Sequence, residues 1–311
     1  MAATTEQYQR SSACRETAWM SASKSIVLRS PLPSKGARNA TGEDDRVAGS
    51  GRRAVPASGP PPVNAQTSGS VDTPVWVLCH GTPLTPSVWA GVAAILRRHG
   101  PVHQPLLVAS GRGPSLVTSL AQSIVDQLPP GGRVHLVGHS FGGQVALEAA
   151  LIAGPLVETL TMICSRDTPF PPFSTAAQAL RSGIPADPDA VLRRWFRPDE
   201  LVETDPLVQY ARTCVLDADR DAWAACLEAI ASFDRSRLTK SLHIPVHLVA
   251  AELDQVSTVA AMSAMAHRLP RARLTVLADA AHMSAFRQPE MLAGLITSTA
   301  LKSSAGMTRQ L

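Results

Sequence analysis

The chain has 311 residues and a mass of 32.9 kDa, with 45% hydrophobic and 17% charged residues, so it can bury a substantial core. This composition excludes a protein that is disordered or a coiled coil over most of its length. The net charge of +4 comes from residues 1–70, which carry 9 basic and 5 acidic side chains; the remainder carries 20 of each, so the charge gives no argument for nucleic acid.

Residues 1–70 are predicted to form a disordered N-terminal tail. Serine, proline and glycine contribute 11, 6 and 6 of these residues, and the one strand-like run, residues 26–28, is short. Such a segment cannot bury enough apolar surface to offset the entropy lost when it is ordered. The acidic run at residues 43–45 argues against a transit peptide.

From residue 71 onward, short apolar runs alternate with amphipathic stretches. The runs predict strands at residues 75–79, 102–108, 134–137, 160–164, 246–250 and 274–277. The stretches predict helices at residues 87–99, 115–128, 142–153, 258–269 and 289–299. Near-continuously apolar strands, each followed by a helix, indicate a parallel sheet covered on both faces. We therefore expect an α/β fold with a mostly parallel, doubly wound sheet, formed by residues 71–168 and 239–311.

Residues 169–238 interrupt this alternation and are predicted to form a helical cap, or lid, over a site. Seven prolines punctuate the segment, which favours several short helices. The segment holds seven of the 13 aromatic residues of the chain: Phe170, Phe173, Trp195, Phe196, Tyr210, Trp223 and Phe233. Because a small helical insert has little core of its own, these rings are expected to cover something else.

The strongest local signal is Gly138-His139-Ser140-Phe141-Gly142, which lies between a predicted strand and a predicted helix. A strand that turns into a helix within one residue strains the central residue and crowds its flanks, so small residues are needed there and the serine hydroxyl is pushed out. This pattern favours Ser140 as a nucleophile. A capping serine in a Gly-rich turn is the alternative; the phosphate-loop patterns GxxxxGK[ST] and GxGxxG do not occur.

A serine hydroxyl needs a base that removes its proton, and chain order places that base after the last strand. His282, five residues beyond the run that ends at residue 277, is the candidate. Asp254, after the run at residues 246–250, is the preferred carboxylate to orient the imidazole. Glu252 and the more distant Asp167 are alternative acids, and Asp254 could instead cap a helix.

An oxyanion is stabilised by two donors that are in place before its charge develops. The backbone N–H of Phe141, at the start of a predicted helix, is expected to be one donor. The second is expected to be the N–H of Thr82, in the sequence His80-Gly81-Thr82-Pro83 at the end of the first predicted strand. Gly81 allows close approach of the backbone, and Pro83 has no N–H to offer.

Taken together, His80-Gly81, residues 138–143, Asp254 and His282 resemble the α/β-hydrolase superfamily, over about residues 72–300. The resemblance implies an esterase-like fold of the AB hydrolase-1 type, with a cap where the insert lies. It also implies that Ser140 is the nucleophile, His282 the base and Asp254 the acid. Haloalkane dehalogenases and epoxide hydrolases have a similar fold but need aspartate at position 140, which excludes them.

These residues favour a serine hydrolase that cleaves a carboxylic ester, thioester or lactone through an acyl-serine intermediate. One alternative is a cofactor-independent C–C hydrolase, lyase or perhydrolase on the same scaffold. Another is a ligand-binding relative without turnover, although the complete Ser/His/Asp set counts against it.

The substrate is expected to be a small, mainly apolar molecule, because the insert is rich in leucine, valine and aromatic residues. The residues expected to contact it are His80, Gly81, Phe170 and Trp195. Three arginines of the insert could meet a carboxylate or the phosphopantetheine of a carrier protein, or could be a solvated helix face: Arg193, Arg194 and Arg197.

No cofactor or metal is expected, since no ligand pattern such as HExxH occurs. The five cysteines are an odd number without a CxxC pair, which is typical of a reducing compartment. No run approaches 18 uncharged apolar residues, and the N-terminus lacks the apolar core of a secretory signal. We therefore expect a cytoplasmic protein without a membrane or nucleic-acid partner.

Overall fold

Six parallel strands form one sheet in the computed structural model, which describes residues 73–109, 114–129 and 133–307. The predicted N-terminal tail lies outside the described residues. The strands are β1 (Pro74–Cys79), β2 (Val102–His103), β3 (Arg133–His139), β4 (Val157–Ile163), β5 (Val246–Ala251) and β6 (Ala272–Leu277). They lie side by side in the order β2-β1-β3-β4-β5-β6, and every neighbouring pair is parallel. The α/β prediction is confirmed.

Nine helices accompany these strands in the described part of the chain. They are α1 (Ala90–Leu96), α2 (Pro114–Val125), α3 (Phe141–Ala153), α4 (Pro172–Arg181), α5 (Pro188–Trp195), α6 (Pro206–Leu216), α7 (Arg220–Ser232), α8 (Val259–Arg268) and α9 (Pro289–Met307). Short 3-10 helices lie at Pro86–Trp89, Gly154–Leu156, Pro198–Glu200, Thr239–Ser241 and Ser284–Arg287.

Helices cover both faces of the sheet. Because successive strand residues point to opposite faces, neighbouring residues of one strand pack against different helices. Val77 of β1 and Leu136 of β3 pack in one core with α2, α3 and α8. Trp76 and Val137, their neighbours in the chain, pack in a second core with α1 and α9. Burial on both faces explains why the strands are almost continuously apolar.

The segment between β4 and β5 forms the four helices α4 to α7, which we call the insert. Aspartate side chains cap three of them: Asp187 accepts from Asp189 N–H, Asp205 from Leu207 and Val208 N–H, and Asp219 from Ala222 N–H. Proline occupies the first position of α4, α5 and α6, where no N–H is needed. Phe196, Trp223 and Phe233 are buried, whereas the other four insert aromatics are partly buried.

The predicted strand at residues 102–108 is wrong beyond its first two residues. Only Val102–His103 pairs with β1, and Pro105 has no N–H for a longer ladder. The N–H of Leu107 donates instead to His80 Nε2, at 3.0 Å, so this segment braces the loop after β1.

The predicted strand at residues 160–164 ends one residue earlier, because Cys164 has a φ of 46° and leaves the extended conformation. No helix of the described residues is sufficiently long and apolar to cross a lipid bilayer.

Candidate active site

The loops that carry the predicted site residues meet at one edge of the sheet. Because all six strands are parallel, the segments after β1, β3, β4, β5 and β6 all leave at the carboxyl ends. The direction of winding reverses between β1 and β3, since β2 lies on one side of β1 and all later strands lie on the other. In open α/β sheets, ligands bind outside the carboxyl ends at such a reversal.

Ser140 lies in a strained turn between β3 and α3, with φ of 53° and ψ of −121°. A Cβ atom at position 138 would collide with the Gly142 carbonyl, and one at position 142 would collide with the carbonyl oxygens of Cys79 and His80. Both positions therefore require glycine. The Ser165 hydroxyl donates to the Ser140 carbonyl oxygen at 2.7 Å and holds the turn against the end of β4.

His282 and Asp254 form a buried hydrogen-bonded pair, with exposed fractions of 6% and 4%. His282 Nδ1–H donates to Asp254 Oδ2 at 2.7 Å. The other carboxylate oxygen, Oδ1, accepts the N–H groups of Val256 and Ser257 at 2.8 and 3.1 Å. Since a carboxylate accepts at Nδ1, the Nε2 atom of neutral His282 carries a lone pair and can take a proton.

The Asp254 carboxyl has a pKa below its ordinary value. Burial acts to raise this pKa, but His282 and the two backbone N–H donors favour the ionised form and outweigh burial. Asp254 is therefore charged at neutral pH, where it can stabilise a protonated imidazole.

The other two carboxylates considered as acids have different partners. Asp167 accepts Arg268 Nη2–H at 2.6 Å and contacts Thr239, and Glu252 accepts the N–H of Asp279 at 2.8 Å. Among the described residues, Asp254 is the only one of the three candidates bonded to His282.

His139 links Ser140 to His282. Its Nε2–H donates to the His282 carbonyl oxygen at 3.1 Å, and the two rings lie 4.7 Å apart. Burial, followed by the effect of His282, lowers the pKa of His139 to about 3, so this ring is neutral. No hydrogen bond joins the Ser140 hydroxyl to His282 in the described chain, and such bonds are commonly loose before substrate binds.

The loop after β1 lies directly against the turn at Ser140. A Cβ atom at position 81 would lie 3.2 Å from Ser140 Cβ and 2.9 Å from His139 Nδ1, so Gly81 allows this approach. Thr82 follows and is partly exposed. On the other side of Ser140, Phe141 is the first residue of α3, and its N–H has no acceptor within the helix.

The His80 side chain is buried in this loop, and both of its ring nitrogens bond backbone groups. Its Nδ1–H donates to the Gly81 carbonyl oxygen at 2.8 Å, and its Nε2 accepts the Leu107 N–H. Burial lowers the pKa of His80, which agrees with a neutral ring that uses both nitrogens inside the fold. The contact expected between His80 and substrate stays a prediction, and in this geometry neither ring nitrogen is free to make it.

The insert contacts the loops on both sides of the site. Met283 N–H donates to the Trp195 carbonyl oxygen at 2.9 Å, so Trp195 lies next to His282. Tyr210 binds the loop after β1: its hydroxyl accepts the Thr85 N–H at 2.9 Å and donates to the Thr85 carbonyl at 3.0 Å.

The remaining predicted contact residues of the insert have partners of their own. Phe170 is partly buried, packs edge-on against Phe173 with ring centres 4.9 Å apart, and lies under the guanidinium of Arg166. Arg193 is exposed and lies 3.8 Å from an Asp187 oxygen. Arg197 pairs with Asp199 and Asp279, and burial lowers the pKa of Arg194 to about 10.

One group of potential metal ligands lies in the described part of the chain. His139, Cys164 and His282 place ligand-type atoms within 4.8 Å of one another. Burial and the charge of Asp254 raise the pKa of the Cys164 thiol well above its ordinary value. His139 Nε2 already donates to the His282 backbone carbonyl, and His282 Nδ1 to Asp254, so the cluster is explained by the site itself.

Comparison with known proteins identifies the family. Residues 76–295 match the model of the alpha/beta hydrolase family. The chain belongs to this family. It is 30% identical, over 73% of its length and 98% of the relative, to the pimeloyl-(acyl-carrier protein) methyl ester esterase of Aromatoleum aromaticum. It is 27% identical to the biotin biosynthesis bifunctional protein BioHC of Cellvibrio japonicus, over 70% of this chain, and spans 46% of that longer protein.

Solved structures show the same fold. The enol-lactonase of Burkholderia xenovorans LB400 superposes with a TM-score of 0.67 over 74% of this chain and 92% of that one, at 21% sequence identity. The resemblance inferred from the motifs is thus confirmed for the family and for the sheet with its flanking helices.

Two residues that hold the site together, His139 and Ser165, were not predicted from the sequence. His139 stands at a variable position of the serine motif, and nothing local indicates that its ring meets His282, 143 residues away. Ser165 lies directly after Cys164, and its bond to Ser140 depends on the pairing of β3 with β4. Both contacts follow from sheet order, which carries no local sequence signal.

Proposed function

We propose that this protein is a serine hydrolase that cleaves a carboxylic ester through an acyl-enzyme on Ser140. The observation that carries the proposal is the 2.7 Å bond between His282 and ionised Asp254, next to a strained serine turn. The membership of the family and the esterase activity named for the relative from Aromatoleum aromaticum support it.

In this mechanism the Ser140 hydroxyl oxygen attacks the ester carbonyl while His282 Nε2 takes its proton. Asp254 stabilises the imidazolium that forms. The backbone N–H groups of Phe141 and Thr82 stabilise the oxyanion. Collapse of this intermediate breaks the bond to the alcohol oxygen, which receives the proton from His282. Water, deprotonated by the same histidine, then hydrolyses the acyl-serine and restores the hydroxyl.

The insert serves as the cap of this site in our proposal. Its bonds to both loops, through Trp195 and Tyr210, support a position above the carboxyl ends of the strands. We assign the apolar side of the substrate to its partly buried aromatic residues, with Trp195 beside the loop that carries His282 and Phe170 beside α7. Gly81 allows the loop after β1 to lie close to Ser140, and His80 holds that loop in place through its bonds to Gly81 and Leu107.

Substitution of Ser140 tests the proposal. We expect Ser140→Ala to abolish hydrolysis of short p-nitrophenyl esters, because no other group in the site replaces the hydroxyl. Steady-state rates of purified protein measure this. Ser123→Ala, an exposed serine on α2, is the matched control and should keep the wild-type rate. Wild-type hydrolysis by Ser140→Ala would contradict the assignment.

A substrate panel defines the ester class. The name of the relative from Aromatoleum aromaticum makes methyl esters of acyl chains the first choice, both free and linked to a carrier protein. Thioesters and lactones of matched acyl length complete the panel. Cleavage of a C–C bond in place of all of these would favour the alternative chemistry on the same scaffold.

A further inference from the structure

The loop that carries His282 is closed by a pair of bonds around that residue. Ala281 N–H donates to the Ser284 hydroxyl oxygen at 2.8 Å, and Ser284 N–H donates to the Ala281 carbonyl at 3.1 Å. His282 and Met283 lie between these two bonds. The position of the backbone that carries the His282 imidazole therefore depends on the orientation of the Ser284 hydroxyl.

The orientation of the Ser284 hydroxyl is set by Glu200 of the insert. This hydroxyl donates to the Glu200 carboxylate, whose two oxygens lie 2.9 and 3.0 Å away. With its proton directed to the carboxylate, the oxygen presents a lone pair to Ala281 N–H. Both side chains are largely buried, so water offers little replacement for either bond.

The Glu200 carboxylate is itself fixed by neighbours. It accepts the N–H of Arg197 at 2.8 Å, and Arg287 Nε lies 3.3 Å from Oε1. Arg287 also donates to the Glu200 carbonyl at 2.9 Å and to Asp205 at 2.6 Å, which joins the insert to the helix turn after the histidine loop. These contacts hold the acceptor in place and balance its charge.

We propose that Glu200 is a positioning residue of the active site, acting on His282 through the Ser284 hydroxyl and the Ala281 N–H. The inference rests on the proposed role of His282 as the base. The charge of the Glu200 carboxylate strengthens the hydrogen bond that it accepts from the Ser284 hydroxyl. The polarised hydroxyl oxygen is then a better acceptor for the Ala281 N–H. Since a shift of about 1 Å in a reacting group can cost ~100-fold in rate, control of this loop affects catalysis without any contact to substrate.

Four single variants test the proposal: Glu200→Ala, Glu200→Gln, Ser284→Ala and, as control, Glu203→Ala, an exposed glutamate of the same insert. We expect kcat for a p-nitrophenyl ester and the rate of Ser140 labelling by a fluorophosphonate to fall about tenfold in Glu200→Ala and Ser284→Ala, with KM nearly unchanged. Glu200→Gln keeps one neutral acceptor oxygen and should give a rate between those of Glu200→Ala and the wild-type protein. The control should match wild type.

A double variant separates positioning from simple stabilisation. If Glu200 acts through Ser284, Glu200→Ala combined with Ser284→Ala should be no slower than Ser284→Ala alone. All rates are measured well below each variant's thermal midpoint. Should Glu200→Ala fail to fold, Ser284→Ala and Glu200→Gln still decide the matter.

Three results would overturn the inference: a wild-type kcat in Ser284→Ala, losses in the double variant that add, or a Glu200→Ala protein that is less stable but fully active. If a fluorophosphonate fails to label Ser140 in the wild-type protein, the proposed function itself is contradicted. That result comes from the wild-type protein alone, before any variant is compared. The two failures are thus distinguishable.

Discussion

The Asp254 carboxylate uses its two oxygens for different tasks. One oxygen bonds the imidazole of His282, and the other is held by backbone N–H groups at the start of the following loop. The helix cap considered as an alternative role for Asp254 is provided by Thr258, whose hydroxyl accepts the N–H of Ala261. Oδ1 of Asp254 instead closes the loop before that helix, while Oδ2 fixes the tautomer of the histidine. Both tasks need the ionised form, which the lowered pKa maintains.

Asp254→Asn should reduce kcat by ~10⁴-fold, since an amide can donate to the imidazole and select the wrong tautomer. Asp167→Asn, which loses the pairing with Arg268, should lower the free energy of unfolding but leave kcat within a few fold. Ester hydrolysis and urea unfolding of both variants provide the comparison. A larger loss of kcat in Asp167→Asn would assign the acid to the other carboxylate.

Three candidate site residues could be proposed from the sequence; their catalytic roles stay predictions, and the structure brings two of them, His282 and Asp254, into direct contact. Ser140 follows from the strand–turn–helix pattern with its two glycines, and His282 and Asp254 follow from strand count and chain order. Glu200 was not predictable, because its partner lies 84 residues away and nothing near it in the chain indicates the contact.

At the scale of elements, the serine turn is built by glycines that permit contact with another loop. The backbone of Gly142 packs against the carbonyl groups of Cys79 and His80, so the start of α3 touches the end of β1. This packing brings the two loops with the proposed oxyanion donors together.

A matched pair of glycine variants tests this packing. Gly142→Ala should destabilise the protein by about 3 kcal/mol, the upper end of the usual cost of overpacking, because the added methyl group would collide with backbone atoms that cannot move alone. Gly294→Ala, in an exposed position of α9 with nothing within 4 Å, should stabilise it by about 0.5–1 kcal/mol. Urea unfolding followed by circular dichroism measures both. Equal stability of the two variants would refute the packing argument.

Periodicity predicted the positions of most helices well and the short edge strand poorly. The helix predicted at residues 142–153 differs from α3 by one residue at its start, and the helix predicted at 258–269 differs from α8 by one residue at each end. The helix predicted at 289–299 has the correct start, but α9 continues for eight more residues. The edge segment that begins at Val102 ends in three apolar residues, 106–108, but Pro105 and the bond from Leu107 to His80 end the strand before them. A tertiary contact decided that conformation, and local sequence does not encode it.

At the scale of the whole molecule, sheet order determines which residues meet. Winding in two directions from β1 brings residue 81 and residue 140 together at the reversal, and it brings the loops after β5 and β6 to the same edge. The fold class could be predicted from alternating strands and helices, whereas the order β2-β1-β3-β4-β5-β6 could not. The sheet order therefore brings together residues whose proximity the sequence motifs alone do not establish.

The proposed mechanism depends on Ser140 being a nucleophile that His282 activates. Intact-mass analysis of the wild-type protein after treatment with a fluorophosphonate, followed by mapping of the labelled peptide, tests this step. We expect a single adduct on Ser140, formed rapidly in wild type, absent in Ser140→Ala and strongly slowed in His282→Ala. An unlabelled wild-type protein, or an adduct on another residue, would contradict it.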